Sequence, residues 1–176
     1  MAIAPPPSAP EPRTFRAALG RFATGVALVT AAPAGRPEAL VVNSLASVSL
    51  DPPLVSFCPS RTSWTWTRMR GARRFAVNVL ARHHEDYVRR AVPPGADRFA
   101  GLDWRLGAGG TPVLPDALAV LVCALVAEHP AGDHWIVVGR VEAVRLRGPA
   151  DPLVFFDGAF ASVTAARPGD APRAPA

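Results

Sequence analysis

The chain has 176 residues, 49% of them apolar, and carries a formal net charge of +5. This length favours one domain with a core large enough to bring two sheet layers together. No apolar run approaches the roughly 20 residues of a membrane span, and the N-terminus lacks the basic start and apolar core of a secretory signal, so we expect a cytoplasmic protein with no membrane partner.

Both ends of the sequence resemble disordered tails. Residues 1–12 hold five prolines without apolar periodicity, and residues 164–176 have a similar composition. Neither segment can bury enough apolar surface to offset the entropy lost on ordering. A single domain is therefore predicted over residues 13–163.

The first half of this domain is predicted to contain two helices and three strands. A helix is expected over 14–25, with Thr14 as its N-terminal cap and Gly20 or Gly25 as its stop. The strands "VALVTAA" and "EALVVNSLASVSL" follow, and the turn "PAGRPE" between them predicts a hairpin. Next come a strand, "PLVSFCPS", and a short helix, "TSWTWTRMRGAR".

The second half is predicted to be dominated by hairpins. The strand "RFAVNVL" precedes the helix "RHHEDYVRRAV", and two long apolar strands then flank the turn "PAGD". The segment "PLVFFDGAFASV" supplies the last strand. At least six strands, mostly in hairpins, favour a mainly β fold, an antiparallel barrel with peripheral helices, over a doubly wound sheet.

The positive charge admits two interpretations. All 19 basic residues are arginines, scattered from Arg13 to Arg173, which favours a solvated surface over a nucleic-acid-binding face. The densest group is "RMRGARR", residues 68–74. This group remains a candidate for contact with the phosphates of a mobile cofactor.

Several kinds of catalytic site are not expected. The sequence has no Walker loop and no nucleophile elbow, and "GAGG" at 107–110 lacks the context of a dinucleotide fingerprint. His83 and His84 are interpreted as a solvated helix face, because neighbouring helical positions point in different directions. Cys58 and Cys123 lie far apart in apolar runs, so neither a disulfide nor a metal site is predicted.

Small hydroxyl residues crowd into "VVNSLASVSLDPPLVSFCPSRTSW", residues 41–64, without an obvious catalytic acid or base. They are interpreted as the rim of a site for a cofactor that performs the chemistry itself. Simpler interpretations stay open from the residues alone. Ser47 and Ser49 are also typical of the outward positions of a strand, Cys58 of a small buried apolar residue, and Trp64 and Trp66 of helix packing.

Six blocks, in order, resemble the flavin reductase domain family with its FMN-binding split barrel. They are "FATGVALVTA", "VNSLASVSLDPPLVSFCPSRTS", "RFAVNVL", "GGTPVL", "AGDHWIVVGRV" and "PLVFFDGAF". The resemblance covers roughly residues 13–163 and is closest to the reductase partners of two-component flavin-dependent monooxygenases. It implies an antiparallel split β-barrel and an NAD(P)H-dependent reductase that supplies reduced FMN or FAD to a separate monooxygenase.

The resemblance also implies site residues. It places the isoalloxazine ring and ribityl chain against Asn43, Ser44, Ala46 and Ser47. The phosphate side would lie against Cys58, Pro59, Ser60, Ser63 and Trp64. Because the chain has no lysine, any basic contact to phosphate or ribose must use arginine, with Arg90 and Arg98 as candidates.

From the residues alone, His134 in "AGDHW" is typical of a turn or capping residue. The resemblance instead implies that it lies beside the nicotinamide, where an imidazole can hydrogen-bond the carboxamide or steady charge during hydride transfer. Asp133 would orient that ring or simply close the turn. Phe155, Phe156 and Phe160 are candidates for the wall of this pocket, some of them being core residues instead.

Three functions remain in competition at this stage. The first is a reductase for exchangeable FMN or FAD, using NADH or NADPH, that works as a homodimer beside a separate monooxygenase. The second is a split-barrel protein with tightly held flavin that acts as an oxidase or flavin carrier. The third is an arginine-rich nucleic-acid-binding protein, whereas the first two require no nucleic acid.

Overall fold

The computed structural model describes residues 10–91, 97–161 and 163. The predicted tails, residues 1–12 and 164–176, lie outside this range apart from residues 10–12, and helix α1 begins at Pro12. No helix in the described part of the chain is both long and apolar enough to cross a bilayer.

The fold is a mainly β, antiparallel split barrel with short peripheral helices. The helices are α1 (Pro12–Gly20), α2 (Trp64–Met69) and α3 (Glu85–Ala91). The strands are β1 (Thr24–Gly25), β2 (Ala27–Ala31), β3 (Glu38–Val42), β4 (Ala46–Leu50), β5 (Pro53–Phe57), β6 (Arg74–Val79), β7 (Arg105–Leu106), β8 (Pro112–Val113), β9 (Ala119–Ala131), β10 (His134–Leu146), β11 (Val154–Phe156) and β12 (Ala159–Ala161).

Seven strands form the main sheet in the order β3-β2-β6-β9-β10-β5-β4, and every neighbouring pair within it is antiparallel. The long β9–β10 hairpin turns at Gly132, whose φ of 61° suits a residue without a Cβ. A three-stranded sheet, β1-β11-β12, and a two-stranded sheet, β7-β8, complete the described strands.

Successive residues of the central strands enter two different cores, as the two-residue period of a strand requires. On β2, Leu28 packs into a cluster with α3, whereas its neighbour Val29 packs into a second cluster with Phe57 and Phe75. Trp66 of α2 belongs to this second cluster and is only 2% exposed. Its predicted packing role is therefore confirmed.

The predicted β2–β3 hairpin and the long β9–β10 hairpin are both present. The predicted strand "EALVVNSLASVSL" is wrong as one element, because β3 ends at Val42 and β4 begins at Ala46. Strand β4 leaves the β2 side of the sheet and pairs with β5 instead. Alternation along a sequence does not reveal such a change of partner.

Two further details of the predicted elements are corrected. Thr14 lies inside α1 rather than capping it, because Pro12 occupies the first turn after the N-cap residue Glu11, a position that favours proline. The helix ends at Gly20, while Gly25 belongs to β1.

The predicted last strand is a β11–β12 hairpin rather than one strand. Asp157 and Gly158 between its strands both have positive φ.

Candidate functional site

The loop after β5 and the turn before β10 are joined by backbone contacts. The Arg61 N–H donates to the Asp133 carbonyl, and the Trp135 N–H donates to the Pro59 carbonyl, each at 2.9 Å. Ser60 and His134 face each other as an isolated antiparallel bridge. Two segments more than 70 positions apart in sequence are thereby fixed side by side.

Hydroxyl groups organise the loop itself. The Ser60 and Thr62 hydroxyl oxygens lie 2.9 Å apart, and the Thr62 N–H donates to the Ser60 hydroxyl at 3.2 Å. Ser63 caps α2, because its hydroxyl accepts from the Trp66 N–H at 3.1 Å. The resulting loop is rich in polar groups, with Arg61 and Thr62 exposed and Ser60 and Ser63 half-buried.

His134 is held in one orientation by its neighbour. Its Nδ1 lies 2.7 Å from an Asp133 carboxylate oxygen, and its side chain is 46% exposed. The hydrogen bond from His134 lowers the pKa of Asp133, so this carboxylate is an acceptor at neutral pH. Because a carboxylate can only accept, Nδ1 carries the proton in this pair and Nε2 is left for a ligand.

The bend between β3 and β4 is tied to the same loop. The Cys58 N–H donates to the Ser44 hydroxyl at 2.9 Å, which fixes the bend against the end of β5. Ala46 and Ser47 begin β4 and are exposed, opposite Ser56 and Val55 of β5. Predicted cofactor residues from both segments are therefore brought to one edge of the barrel.

A groove of about 500 Å³ opens between α1, this bend and the β11–β12 hairpin. It is lined by Phe15, Arg16, Leu19, Gly20, Phe22, Thr24, Asn43, Ser44, Phe155 and Gly158. A second cavity of about 480 Å³ adjoins it and shares Asn43 and Phe155. It is also lined by Val26, Val41, Val42, Val88, Arg89 and Phe160. Both volumes are within the range of small-molecule sites.

The linings suit a flat apolar ring with a polar edge. Aromatic and aliphatic side chains supply the walls, and Asn43, Ser44 and Thr24 supply polar atoms. The Thr24 hydroxyl oxygen is buried and has no hydrogen-bond partner among the described residues. Such a group is costly unless a ligand or water satisfies it, so the groove fits a flavin at this point.

Neither Thr24 nor the contribution of α1 to the groove was predicted from the sequence. Phe15, Leu19 and Phe22 were evident as a helical apolar stripe, but a stripe of this kind usually indicates core packing. In the structure these three side chains are 54%, 58% and 74% exposed. Their exposure, rather than their spacing, marks the groove.

Some predicted contacts are not brought to the groove. Phe155 and Phe160 line the cavities, whereas Phe156 lines neither and is 38% exposed. The Arg98 carbonyl accepts from the Tyr87 hydroxyl at 2.8 Å, and neither Arg98 nor Arg90 lines either of these two cavities. Their cofactor contacts stay predictions.

Neither cysteine is placed as a nucleophile. Burial raises the pKa of the Cys58 thiol, and burial followed by the charge of Glu142 raises the pKa of Cys123 to about 12. Both cysteines are free thiols, and both stay protonated at neutral pH. This agrees with chemistry that is supplied by a cofactor.

Three arginines of the group at 68–74 form ion pairs. Arg68 pairs with Glu38, Arg70 with Glu128 and Arg74 with Glu142. Only part of the positive charge of this segment is therefore uncompensated.

The prediction of a solvated histidine pair is wrong for His84, which is only 3% exposed. His83 and His84 both lie within 3.2 Å of the Asp116 carboxylate, because a 3₁₀ turn at Arg82–His84 brings the neighbouring rings together. His84 Nδ1 also accepts from the Ala81 N–H at 3.1 Å, which gives this side chain a local structural role.

Comparison with known proteins adds independent observations. The family model described as "Flavin reductase like domain" matches residues 19–164. The chain is 39% identical over 153 residues to the reductase subunit HsaB of a flavin-dependent monooxygenase from Rhodococcus jostii, with 87% of this chain and 78% of that protein covered. It is 43% identical over 154 residues to the FMN reductase (NADH) SmoA from Agrobacterium fabrum, covering 88% and 87%.

A solved structure agrees with these matches. The NADH:FAD oxidoreductase SgcE6 from Streptomyces globisporus, in complex with NAD and FAD fragments, is similar with a TM-score of 0.82 at 32% identity. The alignment covers 93% of this chain and 100% of that one.

Proposed function

The chain belongs to the flavin reductase-like domain family, and we propose that it is an NAD(P)H-dependent reductase of FMN or FAD whose reduced flavin leaves for a separate monooxygenase. The predicted resemblance to this family is thus confirmed. Relatives named as an FMN reductase (NADH) and as a monooxygenase reductase subunit support both halves of the proposal.

One observation carries the proposal at the level of the site. The hydroxyl loop at 58–63 and the His134 turn are hydrogen-bonded together, next to a bend whose Asn43 and Ser44 line an apolar groove. A polar loop that can receive phosphate, an apolar slot that can receive a ring and a histidine that can contact the second substrate suit flavin reduction.

When bound, the flavin accepts hydride from the reduced nicotinamide. The chain itself would bind and orient the two substrates. Hydroxyl groups of the loop would hold phosphate, because the backbone N–H groups of Cys58, Arg61, Thr62 and Ser63 already donate within the chain. Phe155 and the α1 side chains would exclude water from the groove. His134, held by Asp133 through Nδ1, would present Nε2 to the carboxamide of the nicotinamide. These groups provide proximity and orientation and require no protein nucleophile.

The contacts that the loop at 58–63 offers to the flavin phosphate favour a flavin that exchanges. The loop at 58–63 contributes Arg61 as its one charged side chain, and that guanidinium donates to the Gly132 carbonyl at 3.3 Å and lies over the Trp135 ring. Phosphate would be held mainly by neutral donors, which bind less strongly than a fixed ion pair. We therefore favour release of flavin over the alternative of a tightly held cofactor.

We also propose a two-fold dimer with both flavin sites near its interface. Strand β2 (Ala27–Ala31) is fully buried within one chain and offers no surface to a second one. Exposed apolar side chains occur elsewhere, on α1 and on β4, where Leu50 is 89% exposed. A second chain would cover these exposed side chains, of which those on α1 line the groove.

We place the reaction in the cytoplasm. Two free thiols and no disulfide among the described residues are consistent with a reducing compartment.

Consumption of NADH by the dialysed protein, measured with and without added FMN or FAD, tests the function. Oxidation that depends on added flavin supports the exchangeable reductase. Flavin that survives dialysis with unchanged NADH oxidation would instead favour the tightly bound alternative.

A further inference from the structure

The aromatic ring of Trp64 is largely exposed to solvent. Its side chain is 70% exposed. The other three tryptophans, all within the described residues, are engaged: Trp66 is buried, Trp104 packs against Phe99, and Trp135 lies within 5.3 Å of two guanidinium groups. Trp64 is therefore the tryptophan with a surface available to another ring.

The ring of Trp64 is supported by a fixed cation. The guanidinium carbon of Arg68 lies 5.7 Å from the ring centroid. Arg68 itself is anchored by two hydrogen bonds to Glu38, at 2.5 and 2.7 Å. A cation over one face leaves the opposite face to stack, and the bidentate pair limits the motion of the arrangement.

Trp64 lies next to the proposed position of the flavin phosphate. It follows directly after the hydroxyl loop at 60–63, where the proposed function puts the flavin phosphate. Arg61 adds a positive charge within the same loop. A ligand that continues beyond this first phosphate would place its next phosphate and its terminal base near Trp64.

FMN ends at that first phosphate, whereas FAD continues through a second phosphate and a ribose to adenine. We propose that Trp64 stacks on the adenine of FAD, so that the chain binds FAD more tightly than FMN. This inference rests on the proposed function, because it takes the phosphate position from it. It adds a subsite that FMN leaves empty.

Titration of FMN and FAD into the wild-type chain and into Trp64→Ala tests the subsite. Loss of one base–aromatic stack is expected to weaken FAD binding by about tenfold, within the range seen when stacking residues are replaced by alanine. FMN binding should weaken much less than FAD binding, since only FAD loses the stack, which shifts its binding free energy by about 1.4 kcal/mol. Trp64→Phe is the matched control and should recover most of the FAD affinity.

AMP is a second probe, because it carries the adenine half alone. AMP should compete with FAD in the wild-type chain and lose this effect in Trp64→Ala. Equal weakening of FMN and FAD in Trp64→Ala, or no weakening of either, would overturn the adenine subsite. Failure of the wild-type chain to oxidise NADH with either flavin would instead overturn the proposed function, so the two failures are distinguishable.

Discussion

Asp133 and His134 form a hydrogen-bonded polar pair on the turn before β10, where the nicotinamide is proposed to bind. Their side chains are joined at 2.7 Å on an exposed turn, and the backbone of that turn is fixed by the loop after β5. The pair thus has a defined orientation before any ligand binds. Preorganisation of this kind reduces the ordering that binding would otherwise require.

Replacement of His134 by alanine should impair the use of NADH without impairing the binding of flavin. We expect the apparent KM for NADH to rise, or hydride transfer to slow, by a few-fold to about tenfold, the effect of one lost hydrogen bond. Flavin affinity should barely change, because the proposed flavin contacts lie at residues 43–64 and in the groove. Steady-state kinetics, flavin titration and thermal melting on one variant give the three readouts.

A purely structural role for His134 would produce a different pattern. Flavin affinity, NADH dependence and melting temperature would then deteriorate together. Unchanged NADH kinetics in a folded variant would remove His134 from the site.

Among the elements of the barrel, the close packing of β10 against side chains of β6 and β9 depends on Gly139. A Cβ at this position would collide with Cζ of Phe75 and would approach Cβ of Cys123 to 3.2 Å. Both neighbours belong to the buried cluster that contains Phe57 and Val137. The glycine is therefore required by packing, since no side chain fits between these residues.

Gly139→Ala should lower the free energy of unfolding by about 1–3 kcal/mol, as expected for overpacking in a dense core. Gly148→Ala is the matched control, because a Cβ added there would have no heavy atom within 4 Å and its φ is not positive. Denaturant melts of both variants provide the comparison. Equal free energies of unfolding for the two variants would contradict the close contact between Gly139 and Phe75.

The histidine turn before α3 should make stability depend on pH. Burial lowers the pKa of His84 below its ordinary value of 6.5, even though the Asp116 carboxylate opposes this shift. The unfolded chain then binds the proton more readily than the folded one. The contribution of neutral His84 is complete above pH 6.5 and is lost as pH falls below that value.

His84→Gln should flatten the dependence of unfolding free energy on pH just below 6.5. The same slope in the variant and the wild type would show that another group is responsible. The pKa of Asp116 is also lowered, below its ordinary 3.8, because hydrogen bonds and charge from the two histidines outweigh its burial. Its contribution is lost only in more acidic solution, outside this window.

The hairpins were predictable because their strands are long, apolar and separated by Gly/Pro turns, as for β9 and β10. The break between β3 and β4 was not predictable from the sequence, because β4 changes its pairing partner without a change in the alternation of apolar and polar residues. Asn43 and Ser44 were predicted as site residues through the family resemblance. Thr24 was not, because only the fold shows that its hydroxyl is buried beside the groove without a partner among the described residues.

The molecule as a whole leaves large apolar side chains exposed, one of them, Phe22, in the lining of the groove. Phe22, just after α1, is 74% exposed, and Leu50 at the end of the edge strand β4 is 89% exposed. A second chain on this surface would bury them and close the groove.

Sedimentation at micromolar concentration should therefore show a dimer. Leu50→Glu is expected to shift the chain towards the monomer and to lower reductase activity, because a charge would be buried in the interface. Leu106→Glu, also at an exposed leucine but on β7, is the control and should remain dimeric. A wild-type monomer with full reductase activity would refute the dimer.

If flavin is a substrate that binds and leaves, a small amount of protein must reduce a large amount of flavin. FMN or FAD in large molar excess over protein is mixed without oxygen with NADH in molar excess over the flavin, and the visible absorbance of oxidised flavin is followed. We predict that all of the flavin is reduced, because each site releases its product and binds again. A loss of absorbance that corresponds to one reduced flavin per protein chain, or no loss at all, would contradict this exchange.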